Sequence, residues 1–205
     1  MMKMEIRAFN FEVRAEENDD HGHFLSGRPI VYNSRTDLGW YDEIIEAGAL
    51  DQTDLRDVRF LVNHNTDMIP LARSRNNTGN STMQMTVDGD GMGIRVDLDV
   101  ENNAEAKSLY SAVRRGDISG MSFMFTVDGE AWDDIESEHP TRRIRSISRV
   151  LEVSAVTFPA YEATSITARG LADALDSAKA SLESAKAKRD AVERKKKLVK
   201  LLLEV

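Results

Sequence analysis

From residue 1 to about residue 168, the hydrophobic pattern is typical of short strands joined by tight turns. Phe9, Phe11 and Val13 alternate with polar residues, which places them on one face of an extended chain. A second extended run spans residues 24–32, and the segment 58–64 places alternate apolar side chains and His64 on one face. These patterns predict strands of an antiparallel barrel or sandwich, with His64 at the end of one strand.

Local signals in this region also predict one hairpin and one helix. The turn sequence Asp88-Gly89-Asp90-Gly91 lies between two alternating apolar runs, as in a β-hairpin. Further along, Asn102 or Asn103 can cap a helix that Gly116 would end. The apolar positions expected on that helix are Ala104, Ala106, Leu109, Tyr110 and Val113.

Two longer runs follow this helix. The segment 118–127 is apolar and aromatic, so it predicts a buried strand that contains Ser122. The segment 142–158 alternates well enough to predict another strand. One face of that strand would carry Ile144, Ser146, Ser148, Val150, Glu152, Ser154 and Val156.

The chain changes character after Gly170. Residues 171–205 contain no Gly or Pro and are dominated by Ala, Lys, Leu, Asp and Glu, which predicts a single helix. A seam with alternating steps of four and three residues is apolar at eight of its ten positions, and only Arg189 and Lys196 interrupt it. This pattern favours a coiled coil or a helical hairpin partner. We therefore expect two parts, a domain of residues 1–168 and a helical segment of residues 169–205.

Composition narrows the classes of function. The formal net charge is -8, so no overall positive field attracts nucleic acid or an anionic membrane. The absence of cysteine excludes thiol nucleophiles, cysteine zinc sites and disulfides. Because the sequence shows no apolar stretch of signal-peptide or membrane-span type, we expect a cytoplasmic site of action.

Nucleophilic chemistry without a thiol points to a serine whose proton is taken by a histidine, which a third group orients. The chain has four histidines. His64 follows an apolar strand, whereas His139 lies in a charged loop. His21 and His23 lie beside Asp19 and Asp20, where a polar turn is favoured over a metal site, so we expect no metal. Taken singly, His64 and Ser122 are each more typical of a structural role. Glu152, if buried, would need a partner, and a neighbouring histidine would be a natural one.

A series of short sequence boxes, however, occurs in a specific order. In chain order they are 27–32, 42–45, 47–50, 60–65, 70–73, 91–98, 106–110, 115–125, 151–156 and 159–160. With these boxes, the chain resembles the prohead proteases of HK97-like phages over roughly residues 24–168.

This resemblance implies roles for particular residues. His64, in Phe60-Leu-Val-Asn-His-Asn65, matches the general base, and Ser122, in Gly120-Met-Ser-Phe123, matches the nucleophile. Glu152 is the expected third member of the triad, with Asp117 and Asp67 as alternatives. The family is similar in fold to the herpesvirus assembly proteases, whose third member is a second histidine. No histidine lies near Glu152 here, which favours a Ser-His-Glu set.

The resemblance also implies a fold and a function. We expect a mainly β (α+β) fold, an antiparallel β-barrel of about seven strands with a few helices, plus the long C-terminal helix. The implied activity is that of a serine endopeptidase without a cofactor, which cleaves the scaffold region of the major capsid protein, scaffold proteins and itself. It would act inside the immature capsid in the host cytoplasm, as a homo-oligomer, with the helix as a scaffold-like or removable tail. The alternative is a catalytically silent capsid-assembly scaffold protein that keeps this fold.

Overall fold

The structure is a computed structural model of the 205-residue chain and describes residues 4–9, 13–18, 22–157 and 166–203. This part of the chain forms eleven strands and two helices. The strands are β1 (Met4–Phe9), β2 (Arg14–Asn18), β3 (Gly22–Val31), β4 (Arg35–Asp37), β5 (Asp42–Ile45), β6 (Asp57–Val62), β7 (Ala72–Arg75), β8 (Met83–Asp88), β9 (Gly91–Asp97), β10 (Gly120–Asp133) and β11 (Thr141–Val156). The helices are α1 (Ala104–Arg115) and α2 (Ile166–Leu203).

The strands form two sheets. The larger, seven-stranded sheet has the path β1-β10-β11-β5-β4, with β6 pairing with both β11 and β7. The smaller sheet is antiparallel, in the order β2-β3-β9-β8. A mainly β fold is therefore confirmed, but the expected closed antiparallel barrel is wrong.

The physical reason for the difference is the length of β11. Its first residues pair with β5 and its last residues pair with β6, and both pairings are parallel. The resulting sheet is mixed. Alternation in a sequence shows that a strand is half buried, but it does not identify the partner or its direction.

The core lies where both sheets and α1 meet. Its most buried side chains come from central strands, among them Leu25, Phe60, Met92, Phe123 and Val153, each no more than 1% exposed. Leu109 and Tyr110 add the apolar face of α1. Burial of side chains of this size stabilises a fold by about 1.5–3 kcal/mol each.

The predicted hairpin and helix are confirmed. β8 and β9 pair in register through Asp88 and Gly91. The side chain of Asn103 caps α1 by accepting hydrogen bonds from the backbone N–H groups of Glu105 and Ala106 at 3.0 and 3.1 Å. Gly116 ends the helix in the left-handed conformation, with φ of 80°.

The helix α2 begins at Ile166, before the predicted start, and packs against β1 and β10. Among its described side chains, Ala178 and Leu182 are buried, and Ser181 accepts a hydrogen bond from the Trp132 indole at 2.9 Å. The later seam position Val192 is 50% exposed. The first part of the seam thus packs on the domain, and a coiled coil remains a prediction for the rest. Neither described helix combines the length and the apolar character needed to cross a membrane.

Candidate active site

Ser122 lies near the start of β10, between β1 and β11. Its Cα pairs with that of Ala8 on one side and that of Ser154 on the other. The residue is 0% exposed. The predicted buried strand therefore places this hydroxyl inside the larger sheet.

His64 lies just beyond the end of β6, in a tight turn. Asn63 and His64 have φ values of 52° and 56°, and the Asn65 N–H donates to the Val62 carbonyl at 3.0 Å, as in a type I′ turn. The side chain of Asn63 fixes this turn, because it exchanges hydrogen bonds with Thr157. A left-handed backbone is unfavourable for histidine, so these contacts hold His64 in a conformation that it would otherwise avoid.

The parallel pairing of β6 with β11 brings this turn to the end of β11, on the strand that carries Glu152. Residues Arg59 to Val62 pair with residues Glu152 to Ala155, so β6 ends next to the end of β11. The Asn63 N–H donates to the Ala155 carbonyl at 2.9 Å and continues the pairing into the turn. Glu152 is 3% exposed.

The three side chains form one hydrogen-bonded chain. His64 Nε2 lies 2.5 Å from Ser122 Oγ. His64 Nδ1 is hydrogen-bonded to Glu152 Oε1. The structure thus brings together the serine, the histidine and the carboxylate that the sequence singled out, in the arrangement of a serine, its base and the group that orients the base.

The Ser122 hydroxyl has a second partner, since its Oγ donates to the backbone carbonyl of Arg7 on β1 at 2.7 Å. A hydroxyl carries one proton, but the Arg7 carbonyl and an unprotonated His64 Nε2 both require it. While the hydroxyl proton is hydrogen-bonded to the Arg7 carbonyl, it is not available to His64 Nε2. Because Ser122 also has no exposed surface, a peptide carbonyl reaches its Oγ only after a local rearrangement.

A groove opens beside His64. It has a volume of about 950 Å³ and is bounded by the turn after β6 on one side and by α1 on the other. Leu109 and Ile118 supply apolar surface, and Asp67 and Glu105 add carboxylates. A groove of this size can accept several side chains of an extended peptide.

A buried charged cluster lies on the same sheet, and nothing in the sequence pattern had indicated it. Two arginines, Arg7 and Arg142, contact Glu5 and Glu43, and all four are at most 3% exposed. Arg142 also reaches Glu130 on β10 at 2.5 Å. Burial tends to raise the pKa of Glu5, but hydrogen bonds and charge from Arg142 and Arg7 outweigh it and hold this pKa below its ordinary value of 4.5. Arg7 therefore belongs to the charged cluster through its side chain and contacts Ser122 through its backbone.

The alternative carboxylates do not contact His64 in the structure. Asp117 pairs with Arg115 at the surface, and its side chain is 57% exposed. Asp67 is exposed on the turn that follows His64. Among the described carboxylates, Glu152 is the one hydrogen-bonded to the imidazole.

The other histidines take separate places. His23 stacks edge-on against Tyr110, and His21 lies outside the described residues. His139 lies close to Asp37 and Asp42, which the sequence pattern did not indicate. One potential ligand atom from each of the three side chains lies within 4.8 Å of the other two. Arg35 already neutralises Asp42 at 2.6 Å, so this surface group is explained by ion pairing.

Comparison with known proteins gives a family match. A sequence model of the family described as caudovirus prohead serine protease matches residues 9–177, a range that contains His64, Ser122 and Glu152. Among solved structures, the bacteriophage T4 capsid assembly protease is similar at 12% identity and a TM-score of 0.37, covering 74% of this chain and 98% of that chain. A search of curated proteins found no match.

Proposed function

The chain belongs to the caudovirus prohead serine protease family, and on that premise we propose that it is a serine endopeptidase with Ser122, His64 and Glu152 as its catalytic residues. The hydrogen-bonded chain from Ser122 through His64 to Glu152 carries this proposal. It joins residues from two strands, β10 and β11, and from the turn after β6, which are far apart in sequence. A nucleophile, a base and an orienting carboxylate are the groups that acyl transfer requires.

The proposed reaction begins when the Ser122 hydroxyl leaves the Arg7 carbonyl and gives its proton to His64 Nε2. Ser122 Oγ then bonds to the carbonyl carbon of the scissile peptide, and the proton passes from His64 to the leaving amine. Water hydrolyses the acyl-enzyme by the same route in reverse. Glu152 holds Nδ1 and stabilises the imidazolium that forms in both steps. Backbone N–H groups stabilise the oxyanion, and each well-placed donor contributes about 3–4 kcal/mol.

The proposed substrates are those that the resemblance to prohead proteases implies. They are the scaffold region of the major capsid protein, scaffold proteins and the chain itself, cleaved inside the immature capsid in the host cytoplasm. The groove between α1 and the His64 turn is the proposed path of the extended substrate, because His64 is one of the residues that line it. Residues 1–168 would form the protease domain, and residues 169–205 a scaffold-like or removable tail that supports self-association.

One observation favours a second candidate, a catalytically silent capsid-assembly protein. Ser122 is fully buried and its hydroxyl donates a hydrogen bond to the backbone carbonyl of Arg7, so the described conformation does not admit a peptide. A protein that remained in this conformation would keep the fold without the activity.

The intact mass of the purified chain, alone and with assembled capsid protein, separates the two candidates. We expect truncation of the chain or its partner by wild type, none by Ser122→Ala, and wild-type behaviour from Ser119→Ala, which changes an exposed serine three positions away. A fluorophosphonate probe should label wild type and Ser119→Ala alone. Uncut masses and no labelling for wild type with assembled substrate would support the silent assembly protein instead.

A further inference from the structure

Ser154 occupies a central position that neither the family match nor the triad explains. It lies on β11, with its Cα paired to that of Ser122 on β10 and to that of Leu61 on β6. It is 0% exposed. A hydroxyl at such a place must find its hydrogen-bond partners within the protein.

Both partners of the Ser154 hydroxyl belong to the proposed catalytic set. Its Oγ donates to Glu152 Oε2 at 2.6 Å and accepts from the backbone N–H of His64 at 3.1 Å. The directions of these bonds are fixed, because a carboxylate only accepts and an amide N–H only donates. Ser154 therefore links Glu152 to His64 by a path that does not pass through the imidazole.

Each of these bonds fixes something that the proposed reaction needs. Holding Oε2 leaves Oε1 directed at His64 Nδ1, which sets the orientation of the ring. Holding the His64 N–H stabilises the left-handed backbone of the turn, which sets the position of the ring. Small displacements of such groups are costly, since an error of about 1 Å lowers a rate by about 10²-fold.

We infer that Ser154 is a positioning residue that holds the Glu152 carboxylate and the His64 backbone in the arrangement that the proposed reaction requires. The inference rests on the proposed function and deepens it. Ser154 does not itself touch the reacting atoms, because its two hydrogen bonds go to Glu152 and to the backbone of His64.

The kinetic test compares Ser154→Ala with Ser154→Thr, which keeps the hydroxyl. We expect Ser154→Ala to lower kcat about 10²-fold with KM almost unchanged, and Ser154→Thr to recover most of the loss. The matched control is Ser148→Ala on the same strand, whose hydroxyl is hydrogen-bonded to the hydroxyl and the carbonyl of Thr126 on β10. Ser148→Ala should leave kcat unchanged. If the loss of any hydroxyl on β11 lowered kcat, Ser148→Ala would lower it as well.

A second measurement does not depend on turnover. In a Ser122→Ala background, the proton between His64 Nδ1 and Glu152 should give a far-downfield NMR resonance that Ser154→Ala shifts or removes and that Ser148→Ala and Ser154→Thr keep. An unchanged resonance and an unchanged kcat in Ser154→Ala would overturn the inference. If wild type cleaves nothing, the proposed function fails, and the resonance alone still decides the role of Ser154. If Ser154→Ala does not fold, Ser154→Cys, a near-isosteric and weaker donor, replaces it in both measurements.

Discussion

Glu152 is a buried carboxylate whose two oxygens have different partners. Oε1 contacts the imidazole of His64 and Oε2 accepts from Ser154. An unpaired carboxylate at this depth would be costly, so the two bonds explain why the fold tolerates it. The two oxygens therefore have different roles: Oε1 contacts the imidazole of His64, and Oε2 is held in place by Ser154.

Replacing Glu152 by Gln tests the proposed role of its charge beside His64. The amide keeps the size of the side chain but removes the charge that stabilises an imidazolium, so we expect kcat to fall by about 10⁴-fold. Peptide cleavage by Glu152→Gln and by Asp117→Asn provides the comparison, since Asp117 was, with Asp67, an alternative third member and lies at the surface. Equal rates for wild type and Glu152→Gln, or a comparable loss in Asp117→Asn, would contradict the assignment.

The sequence indicated the residues of the proposed triad but missed the contacts that support them. Ser122, His64 and Glu152 each lie in a short sequence motif, and the order of these motifs along the chain pointed to the three residues. The Arg7 carbonyl and the Ser154 hydroxyl act through bonds to residues 115 and 90 positions away, respectively. Such partners depend on strand register, which alternation leaves undetermined.

At the scale of the element, the β8–β9 hairpin depends on close backbone contact with β3. Gly91 has φ of 133°, and a Cβ built there would lie 2.1 Å from the Ile30 carbonyl oxygen. The Gly91 Cα pairs with that of Val31. The turn therefore requires glycine for two reasons, the backbone angle and the lack of space.

Gly91→Ala and Gly89→Ala form a matched pair within one turn. A Cβ at Gly89 meets nothing within 4 Å, so Gly89→Ala should stay within about 0.5 kcal/mol of wild type. Gly91→Ala has to displace backbone and should lower the free energy of unfolding by about 3 kcal/mol. Chemical denaturation of both variants measures the difference. Equal stabilities would show that β3 yields at Ile30.

Local elements were predictable where their signals are local. The Asn103 cap, the Gly116 stop and the turn of Asp88 to Gly91 each act within a few residues, and all are observed. The barrel was not correct, because β11 is long enough to pair with β5 and β6 at its two ends. Chain length and register decide that topology, and neither appears in the alternation of a single strand.

At the scale of the whole molecule, the buried charged cluster joins strands from distant parts of the chain. Glu5 and Arg7 come from β1, Glu43 from β5, and Arg142 from β11. The removal of one member leaves the others buried without compensation, which typically costs about 3–5 kcal/mol. The cluster thus fixes β1, the strand whose carbonyl contacts Ser122.

Glu5→Gln tests how much this cluster contributes to the pH dependence of the free energy of unfolding. Because the pKa of Glu5 is held below 4.5 in the folded state, its ionised form stabilises the fold above about that pH, and this contribution is lost as pH falls through the lowered pKa. We expect Glu5→Gln to cost about 3 kcal/mol at pH 7 and progressively less on acidification. Urea unfolding at several pH values tests this against Glu101→Gln, an exposed control. A constant difference between Glu5→Gln and wild type would contradict it.

The helix α2 also sets a length scale. Its 38 residues span about 57 Å, and the 14 residues after Arg189, whose guanidinium pairs with Glu136, account for about 21 Å of that. This far end carries the basic run of residues 194–197. A surface that bound the tip would therefore hold the Ser122 region at a distance set by the length of the helix, and only peptide bonds within that radius would come within reach of the proposed protease.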